Sequence, residues 1–233
     1  MLLPPQRDIP ELLDTHAHSR RETLKSLRDI RRINMFLGGR LISLRRCLEM
    51  MDDRSRPWTL LDVGCGLGDI GVALEEQARE RGFTLRVVSS DISELHLDCA
   101  RREYPQVLGL RCDAFHLPLA DKSVDIVHSS LFLHHFRPQQ IDSLLREFCR
   151  VARVGWAMND LVRHTLPLWF FRTTWPIFAR SHLTRYDGSA SVRRAYTVGE
   201  MRHATRAIPG ARVHSHIPFR LAVTWKREGR SSL

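Results

Sequence analysis

Runs of apolar residues of strand length alternate with amphipathic stretches along most of this 233-residue chain. The short runs are rich in Val, Ile and Leu, whereas the stretches between them repeat apolar residues at three- and four-residue steps, as helices do. Five successive strands are predicted: a run ending at Asp62, then 85–90, 107–111, a run ending at His128, and 154–160. A helix at 198–207 and two closing strands, near 212–215 and 219–225, follow. Alternating strands and helices predict a doubly wound α/β sheet of seven strands.

Residues 1–56 precede this alternation and form a predicted helical cap, which leaves 57–233 as the core domain. Apolar residues recur at helical spacing from Leu24 to Leu37, and the Gly38-Gly39 pair that follows is typical of a helix C-terminus. Two roles are open for this cap. Its helices either close over a pocket, where Phe36 is a candidate to contact a substrate, or shield one edge of the sheet.

A segment rich in aromatic residues, 161–196, separates the fifth strand from the elements that close the sheet. An insertion at the carboxyl edge of a doubly wound sheet favours a lid over a bound substrate. His164, Phe171 and Trp175 are therefore candidate substrate-binding residues. Two alternatives stay open: the aromatic side chains only pack in the core, or the arginine-flanked patch makes peripheral contact with a membrane surface.

The strand that ends at Asp62 leads into three glycines at alternate positions, Gly64, Gly66 and Gly68. Glycine lets the backbone approach a ligand closely, and the helix that follows directs its N-terminus toward negative charge. A dinucleotide-binding loop has its third glycine at the sixth position, where this chain has Asp69. The spacing instead resembles motif I of the class I S-adenosylmethionine (SAM) methyltransferases.

Acids at the ends of the next two strands extend this resemblance. Asp91 ends the second strand, where a carboxylate can accept hydrogen bonds from a ribose diol, although Asp is also a common helix N-cap. Asp113 follows the third strand; the resemblance implies contact with the adenine amino group, and an ordinary turn residue is the alternative. The cofactor-binding residues that the resemblance implies are Asp62, Gly64, Cys65, Gly66, Gly68, Asp91, Ile92, Cys112, Asp113, Ala114 and Ser129.

The segments LPLAD, SVDIV and LHHF, between Leu117 and Phe136, resemble the small-molecule branch of the same family. That branch includes the ubiquinone and menaquinone C-methyltransferases and natural-product O-methyltransferases. The resemblance implies SAM as the cofactor and an enzyme of secondary metabolism. We expect methyl transfer to a hydroxyl of a small, lipophilic aromatic or polyketide-type acceptor; C-methylation of a quinone-like ring is the alternative.

Proton removal is the step of O-methylation that calls for a protein side chain, because the sulfonium methyl is already activated and needs mainly alignment. A phenol or enol must lose its proton, and histidine can accept it at neutral pH. His134 and His135, after the fourth strand, are the candidate general bases. A structural role or a place in the cofactor shell is the alternative for this pair.

The composition of the chain limits the kinds of binding partner that we expect. The formal net charge is +10, but arginine supplies almost all the positive charge and is spread along the chain, so binding to nucleic acid is not expected. Five scattered cysteines lack metal-ligand spacing and predict reduced thiols and no metal site. Without an apolar run of ~20 residues or a visible secretory signal, we expect a cytoplasmic protein. The sequence does not indicate the oligomeric state. Two other functions stay open: an RNA methyltransferase and a protein that binds SAM without catalysis.

Overall fold

The computed structural model describes residues 3–15, 18–169, 173 and 179–228, and a seven-stranded sheet runs through them. Its strands are β1 (Pro57–Val63), β2 (Thr84–Asp91), β3 (Leu108–Arg111), β4 (Val124–Ser130), β5 (Ala152–Leu161), β6 (Arg212–His216) and β7 (Arg220–Lys226). They are ordered β3-β2-β1-β4-β5-β7-β6; the first five pair in parallel, and β7 lies antiparallel between β5 and β6. The predicted doubly wound α/β fold is confirmed.

Helices cover both faces of the sheet and its carboxyl edge. They are α1 (Leu12–Thr15), α2 (Arg20–Phe36), α3 (Gly39–Leu48), α4 (Asp69–Glu80), α5 (Glu94–Glu103), α6 (Pro138–Val151), α7 (His182–Arg194) and α8 (Val198–Ala204), with a short 3₁₀ turn at Leu133–His135. The predicted strands and helices lie within a few residues of these bounds. Hydrophobic periodicity therefore located the elements well and their ends less well.

Side chains that alternate along β1 supply both layers of the core. Trp58 and Leu60 belong to one buried cluster with Leu74 of α4, whereas Leu61 belongs to a second cluster with Phe148 of α6. Successive strand residues point to opposite faces, so a central strand buried on both sides is apolar at nearly every position. This packing fixes the carboxyl ends of the central strands at one edge of the sheet.

The two cap helices are joined by the glycine pair. A capping box begins α2: the Ser19 side chain accepts a hydrogen bond from the Glu22 amide, and the Glu22 carboxylate accepts one from the Ser19 amide over 3.2 Å. Gly38 has a φ of 75°, so the predicted helix stop also turns the chain into α3. The packing differs between the two helices, because α2 contacts α5 and α7 whereas α3 contacts α4, β4 and β5.

The predicted lid segment is described in part. Residues 165–169 are helical, and Trp169 is 67% exposed. Phe171 and Trp175 lie outside the described residues, so the aromatic lid stays a prediction. No helix within the described ranges combines the length and the apolar composition needed to cross a membrane.

Candidate functional site

A cavity of about 640 Å³ lies where the carboxyl ends of β1, β2, β4 and β5 meet the N-terminal helices. The strand order reverses between β1 and β4, and ligands bind at such switch points in open α/β sheets. The volume falls within the range of small-molecule sites, ~300–1,000 Å³. Leu27, Ile30 and Ile33 of α2 line the cavity, so this helix closes over it, which is the first of the two roles considered for the cap.

The glycine loop forms one wall of the cavity in a conformation that side chains disfavour. Gly64 and Gly66 have φ values of 65° and 52°, in the left-handed region that favours glycine. A Cβ on Gly64 would lie 2.5 Å from the Phe132 ring. The Gly66 amide donates a hydrogen bond to Asp91 Oδ2 over 3.0 Å. The loop therefore presents bare main chain to the cavity, which fits a cofactor that lies against the backbone.

Asp91 lies at the end of β2, and its buried side chain lines the cavity. Its Oδ1 accepts a hydrogen bond from the Ser93 amide over 2.9 Å, and His96 Nδ1 lies 3.4 Å from Oδ2. Burial raises the pKa of this carboxyl group, but hydrogen bonds from His96, Ser93 and Gly66 outweigh it, so the pKa lies below its ordinary value. Ser93 is the N-cap of α5, which excludes that alternative role for Asp91.

A chain of hydrogen bonds connects Asp62, near the end of β1, to β7. Asp62 Oδ1 is 2.7 Å from His128 Nδ1, and His128 Nε2 is 2.8 Å from Ser43 Oγ. Ser43 accepts a hydrogen bond from Asn159, whose Oδ1 accepts one from Arg220 Nη1 over 3.2 Å. An imidazole protonated on Nδ1 satisfies both of its contacts, because it donates to the carboxylate and accepts from the hydroxyl. The chain fixes the position of the Asp62 side chain at the cavity wall.

Arg220 is a fully buried cation that lines the same cavity. Its Nε and Nη2 atoms have no hydrogen-bond partner among the described residues. Burial lowers the pKa of the guanidinium to about 10, although the Asp160 carboxylate raises it, so the group stays protonated at neutral pH. Because a buried charge is costly unless it is paired, this arrangement fits an anionic group on a ligand.

His134 lies between two carboxylates. Its Nδ1 is 2.7 Å from Asp160 Oδ1, and its Nε2 is 3.2 Å from Glu11 Oε1. Burial lowers the pKa of this imidazole, but Asp160 and Glu11 outweigh it and raise the pKa to about 10. Both ring nitrogens are engaged, which favours the structural alternative for His134 over a free base.

His135 also lines the cavity and is more accessible than its neighbour, with a side chain that is 23% exposed. Its Nδ1 lies 2.9 Å from Asp14 Oδ2, and its Nε2 lies 4.0 Å from Glu11 Oε1. Of the two predicted bases, His135 is therefore the better placed to meet an acceptor. The base assignment itself stays a prediction.

The cavity brings together about half of the predicted cofactor residues: Asp62, Gly64, Cys65, Gly66, Asp91 and Ile92. Asp113 lies outside the lining and makes turn contacts, because its Oδ1 accepts a hydrogen bond from the Phe115 amide over 2.9 Å and its side chain is half exposed. Phe36 is 66% exposed and also lies outside the lining. The other described members of the predicted site that lie outside it are Gly68, Cys112, Ala114, Ser129 and His164. Their roles stay predictions.

Sequence reasoning missed six charged residues of the cavity: Glu11, Asp14, Arg31, Asp69, Asp187 and Arg220. Asp69 directly follows the glycine motif, and an arginine at the start of an otherwise apolar closing strand was a signal for Arg220. Glu11 carried no signal, because its partner His134 is 123 residues away in the chain. The described part of the predicted lid also contributes to the lining through four residues of α7: Thr184, Asp187, Gly188 and Ser191.

Known proteins resemble the part of this chain that carries the glycine loop and Asp91. A family model described as a methyltransferase domain matches residues 60–155. An uncharacterised methyltransferase of Synechocystis sp. is 34% identical over 122 residues, which are 52% of this chain and 52% of that protein. A malonyl-[acyl-carrier protein] O-methyltransferase of Hamiltonella defensa is 32% identical over 110 residues, which are 47% of this chain and 39% of that protein. The chain thus spans about half or less of the length of these curated relatives.

A solved structure agrees with these matches over a longer part of the chain. The plantazolicin methyltransferase BpumL, in complex with SAH, matches 90% of this chain and 95% of its own with a TM-score of 0.60 and 14% identity, which shows the same fold. The family match over residues 60–155, the shared fold and the glycine loop at the switch point agree with what the sequence motifs implied: a methyltransferase domain on the fold of a SAM-dependent methyltransferase, with SAM as its cofactor.

Proposed function

We propose that this protein transfers the methyl group of SAM to an ionisable oxygen of a small lipophilic acceptor, a phenol or enol of an aromatic or polyketide-type compound. Arg220 carries the proposal, because its buried guanidinium lines the cavity with unpartnered Nε and Nη2 atoms. An anionic oxygen would accept charge-assisted hydrogen bonds from these donors. A cation beside a hydroxyl also lowers its pKa and so favours the reactive, deprotonated acceptor.

The cofactor end of the cavity would hold SAM through main chain and two acids. When bound, SAM supplies a methyl group on a sulfonium, which is activated for displacement. Gly64 and Gly66 would let it lie against the backbone, Asp91 would accept hydrogen bonds from the ribose hydroxyls, and Asp62 would attract the ammonium group. Because the displacement needs sulfur, methyl and acceptor in line, the main task of the protein is alignment.

The acceptor would lie beyond the ends of β4 and β5. Phe132 and Phe136 line the cavity there and pack edge to face, with ring centroids 4.8 Å apart. Aromatic rings in this arrangement suit a flat, apolar acceptor. His135 lies on the same loop and is the candidate base, while the contacts of His134 favour a positioning role.

A carboxylate is a second candidate acceptor. An arginine fork that binds a phenolate also binds a carboxylate, often through two parallel hydrogen bonds. A relative of this chain is named as an O-methyltransferase of a malonyl-carrier protein, and the formal net charge of +10 suits association with an acidic partner. The product would then be a methyl ester instead of an ether.

Methyl transfer from radiolabelled SAM to three sets of acceptors separates these candidates: phenols and enols, acyl-carrier thioesters with a free carboxylate, and quinone-like rings. We expect an ether that survives mild alkali. An alkali-labile product would favour carboxyl methylation, and a new carbon-bound methyl in the NMR spectrum would favour the C-methylation alternative. SAM binding without transfer to any of these sets would contradict the proposal.

Arg220→Gln tests the observation on which the proposal rests. We expect kcat/KM for an ionisable acceptor to fall 10- to 100-fold while the Kd for SAM is unchanged. Arg220→Lys keeps the charge but loses the two-pronged guanidinium, so its kcat/KM should lie between those of the wild type and Arg220→Gln. Arg146→Gln removes an exposed arginine that pairs with Asp142 and is the matched control. If the Kd for SAM weakens instead and the acceptor KM holds, Arg220 serves the cofactor and the argument for an anionic acceptor fails.

A further inference from the structure

We propose that Glu11, His134 and His135 bind a divalent first-row transition-metal ion at the wall of the cavity. Each residue offers one ligand atom, and these three atoms all lie within 4.8 Å of one another. Glu11 Oε1 is 3.2 Å from His134 Nε2 and 4.0 Å from His135 Nε2. Two imidazole nitrogens and a carboxylate oxygen thus converge, from parts of the chain 123 residues apart.

A second carboxylate orients each imidazole. Asp160 Oδ1 is 2.7 Å from His134 Nδ1, and Asp14 Oδ2 is 2.9 Å from His135 Nδ1. Histidines that ligate a metal commonly donate their other ring N–H to a carboxylate, which fixes the tautomer and directs the remaining nitrogen toward the ion. Both histidines have this arrangement here, with Nε2 on the side of Glu11.

The charges of the cluster also favour a cation. Three carboxylates, from Glu11, Asp14 and Asp160, surround the two imidazoles, and Glu11 and Asp160 are buried. Buried anions must be compensated, and a divalent ion does this while both imidazoles stay neutral. The alternative is a cluster bridged by protons, in which the imidazoles themselves carry the positive charge.

The donor set indicates the class of ion. Two imidazole nitrogens and one carboxylate suit Zn²⁺ and its first-row neighbours better than Mg²⁺ or Ca²⁺, which prefer oxygen ligands. Ser191 Oγ donates a hydrogen bond to Glu11 Oε1 over 2.7 Å and holds this carboxylate in place. With three protein ligands, coordination positions remain for a further ligand, and all three residues line the cavity.

An acceptor hydroxyl bound to such an ion would give up its proton to water more readily. The oxygen lone pair would then form a bond to the methyl carbon as the carbon–sulfur bond breaks, which leaves S-adenosylhomocysteine and the methylated product. This step rests on the proposed function, whereas binding of the ion does not. It would also replace the histidine base with metal-assisted deprotonation.

Metal binding is tested on the tag-free full chain, stripped with a chelator, without SAM or acceptor. We expect calorimetry to show one equivalent of Zn²⁺ bound, and Co²⁺ to give the visible absorption of a protein-bound ion. Glu11→Gln and His135→Gln should each weaken Zn²⁺ binding at least tenfold, and Asp160→Asn should weaken it 10- to 100-fold through the loss of orientation. His203→Gln removes an exposed histidine outside the cavity lining and should bind Zn²⁺ as the wild type does.

Thermal melts followed by circular dichroism separate a lost ligand from a lost fold. Wild-type protein that binds no Zn²⁺, or a folded Glu11→Gln or His135→Gln variant that binds it unchanged, would overturn the site. Methyl transfer that stops on chelation and returns with Zn²⁺ would support the metal-assisted step, and transfer unaffected by chelation would overturn that step. Intact Zn²⁺ binding without transfer to any acceptor set would count against the proposed function alone.

Discussion

The proposed cofactor end and the proposed acceptor end of the cavity are built in opposite ways. At the cofactor end, the glycine loop and Asp91 come from adjacent strands, and their polar groups already satisfy one another, as in the hydrogen bond from the Gly66 amide to Asp91. At the acceptor end, Glu11, His134 and Arg220 come from distant parts of the chain, and Arg220 has unpartnered donors among the described residues. The first end is formed by the backbone of one loop and the end of the neighbouring strand. The second is assembled by tertiary contacts, and that is where specificity for an acceptor can differ between relatives.

The largest expected effect is on the acceptor end. Asp160→Asn removes a buried anion that accepts hydrogen bonds from the His134 ring and from the amides of His134 and Leu161. Breaking one partner of a buried ion pair leaves a charge uncompensated, so the free energy of unfolding should fall by about 3–5 kcal/mol. Urea unfolding at neutral pH measures it.

Asp142→Asn is the matched control, because Asp142 pairs with Arg146 on the surface, where a salt bridge contributes about 0–1 kcal/mol. Equal losses for the two variants would mean that the buried cluster is no more coupled than a surface pair. The distinction between the two ends of the cavity would then fail.

A substitution in the glycine loop is the most direct test of the cofactor end. Gly64→Val places a side chain 2.5 Å from the Phe132 ring, at a residue whose φ is 65°, so SAM affinity should fall more than 100-fold by calorimetry. Gly199→Val is the control, since a Cβ there meets no described heavy atom within 4 Å. SAM binding that survives Gly64→Val would refute the placement of the cofactor against this loop.

The two ends of the cavity also differ in how much of each could be predicted from the sequence. The strands and the glycine loop depend on residues close in the chain, so apolar periodicity and glycine spacing were enough to locate Gly64 and Asp91. His134 was a candidate from its place after β4, yet its contacts with Glu11 and Asp160, which decide its role, were not visible. Periodicity tells which face of an element is buried, but not which polar atoms meet across a sheet edge. Arg220 was missed for that reason.

A smaller effect tests electrostatics at the cofactor end. Burial and the neighbouring Asp62 carboxylate raise the pKa of Asp69 from 3.8 to about 6, although Arg31 and Arg40 lower it. As the pH rises, Asp69 loses its proton at about pH 4 in the unfolded chain but only at about pH 6 in the folded protein. Protonated Asp69 therefore stabilises the fold fully below about pH 4, and this stabilisation is lost as the pH rises to about 6. Asp69→Asn should remove this slope and raise stability at pH 7 by about 1–3 kcal/mol. Urea unfolding curves with the same pH dependence in both proteins would contradict this account.

The smallest effect separates two acids that the sequence places in equivalent positions. Asp91 is buried and lines the cavity, whereas Asp113 is half exposed and outside the lining. Asp91→Ala should therefore weaken SAM binding by about 1–3 kcal/mol through lost charge-assisted hydrogen bonds, and Asp113→Ala by less than about 1 kcal/mol. Calorimetry with S-adenosylhomocysteine and with its inosine analogue, which lacks the amino group, sharpens the test. A loss at Asp113 as large as that at Asp91, and absent with the inosine analogue, would show that the end of β3 closes onto the adenine when the cofactor binds. The cofactor end would then also reach its final arrangement only when the ligand binds. The two ends of the cavity would differ only in how many of their contacts are formed beforehand.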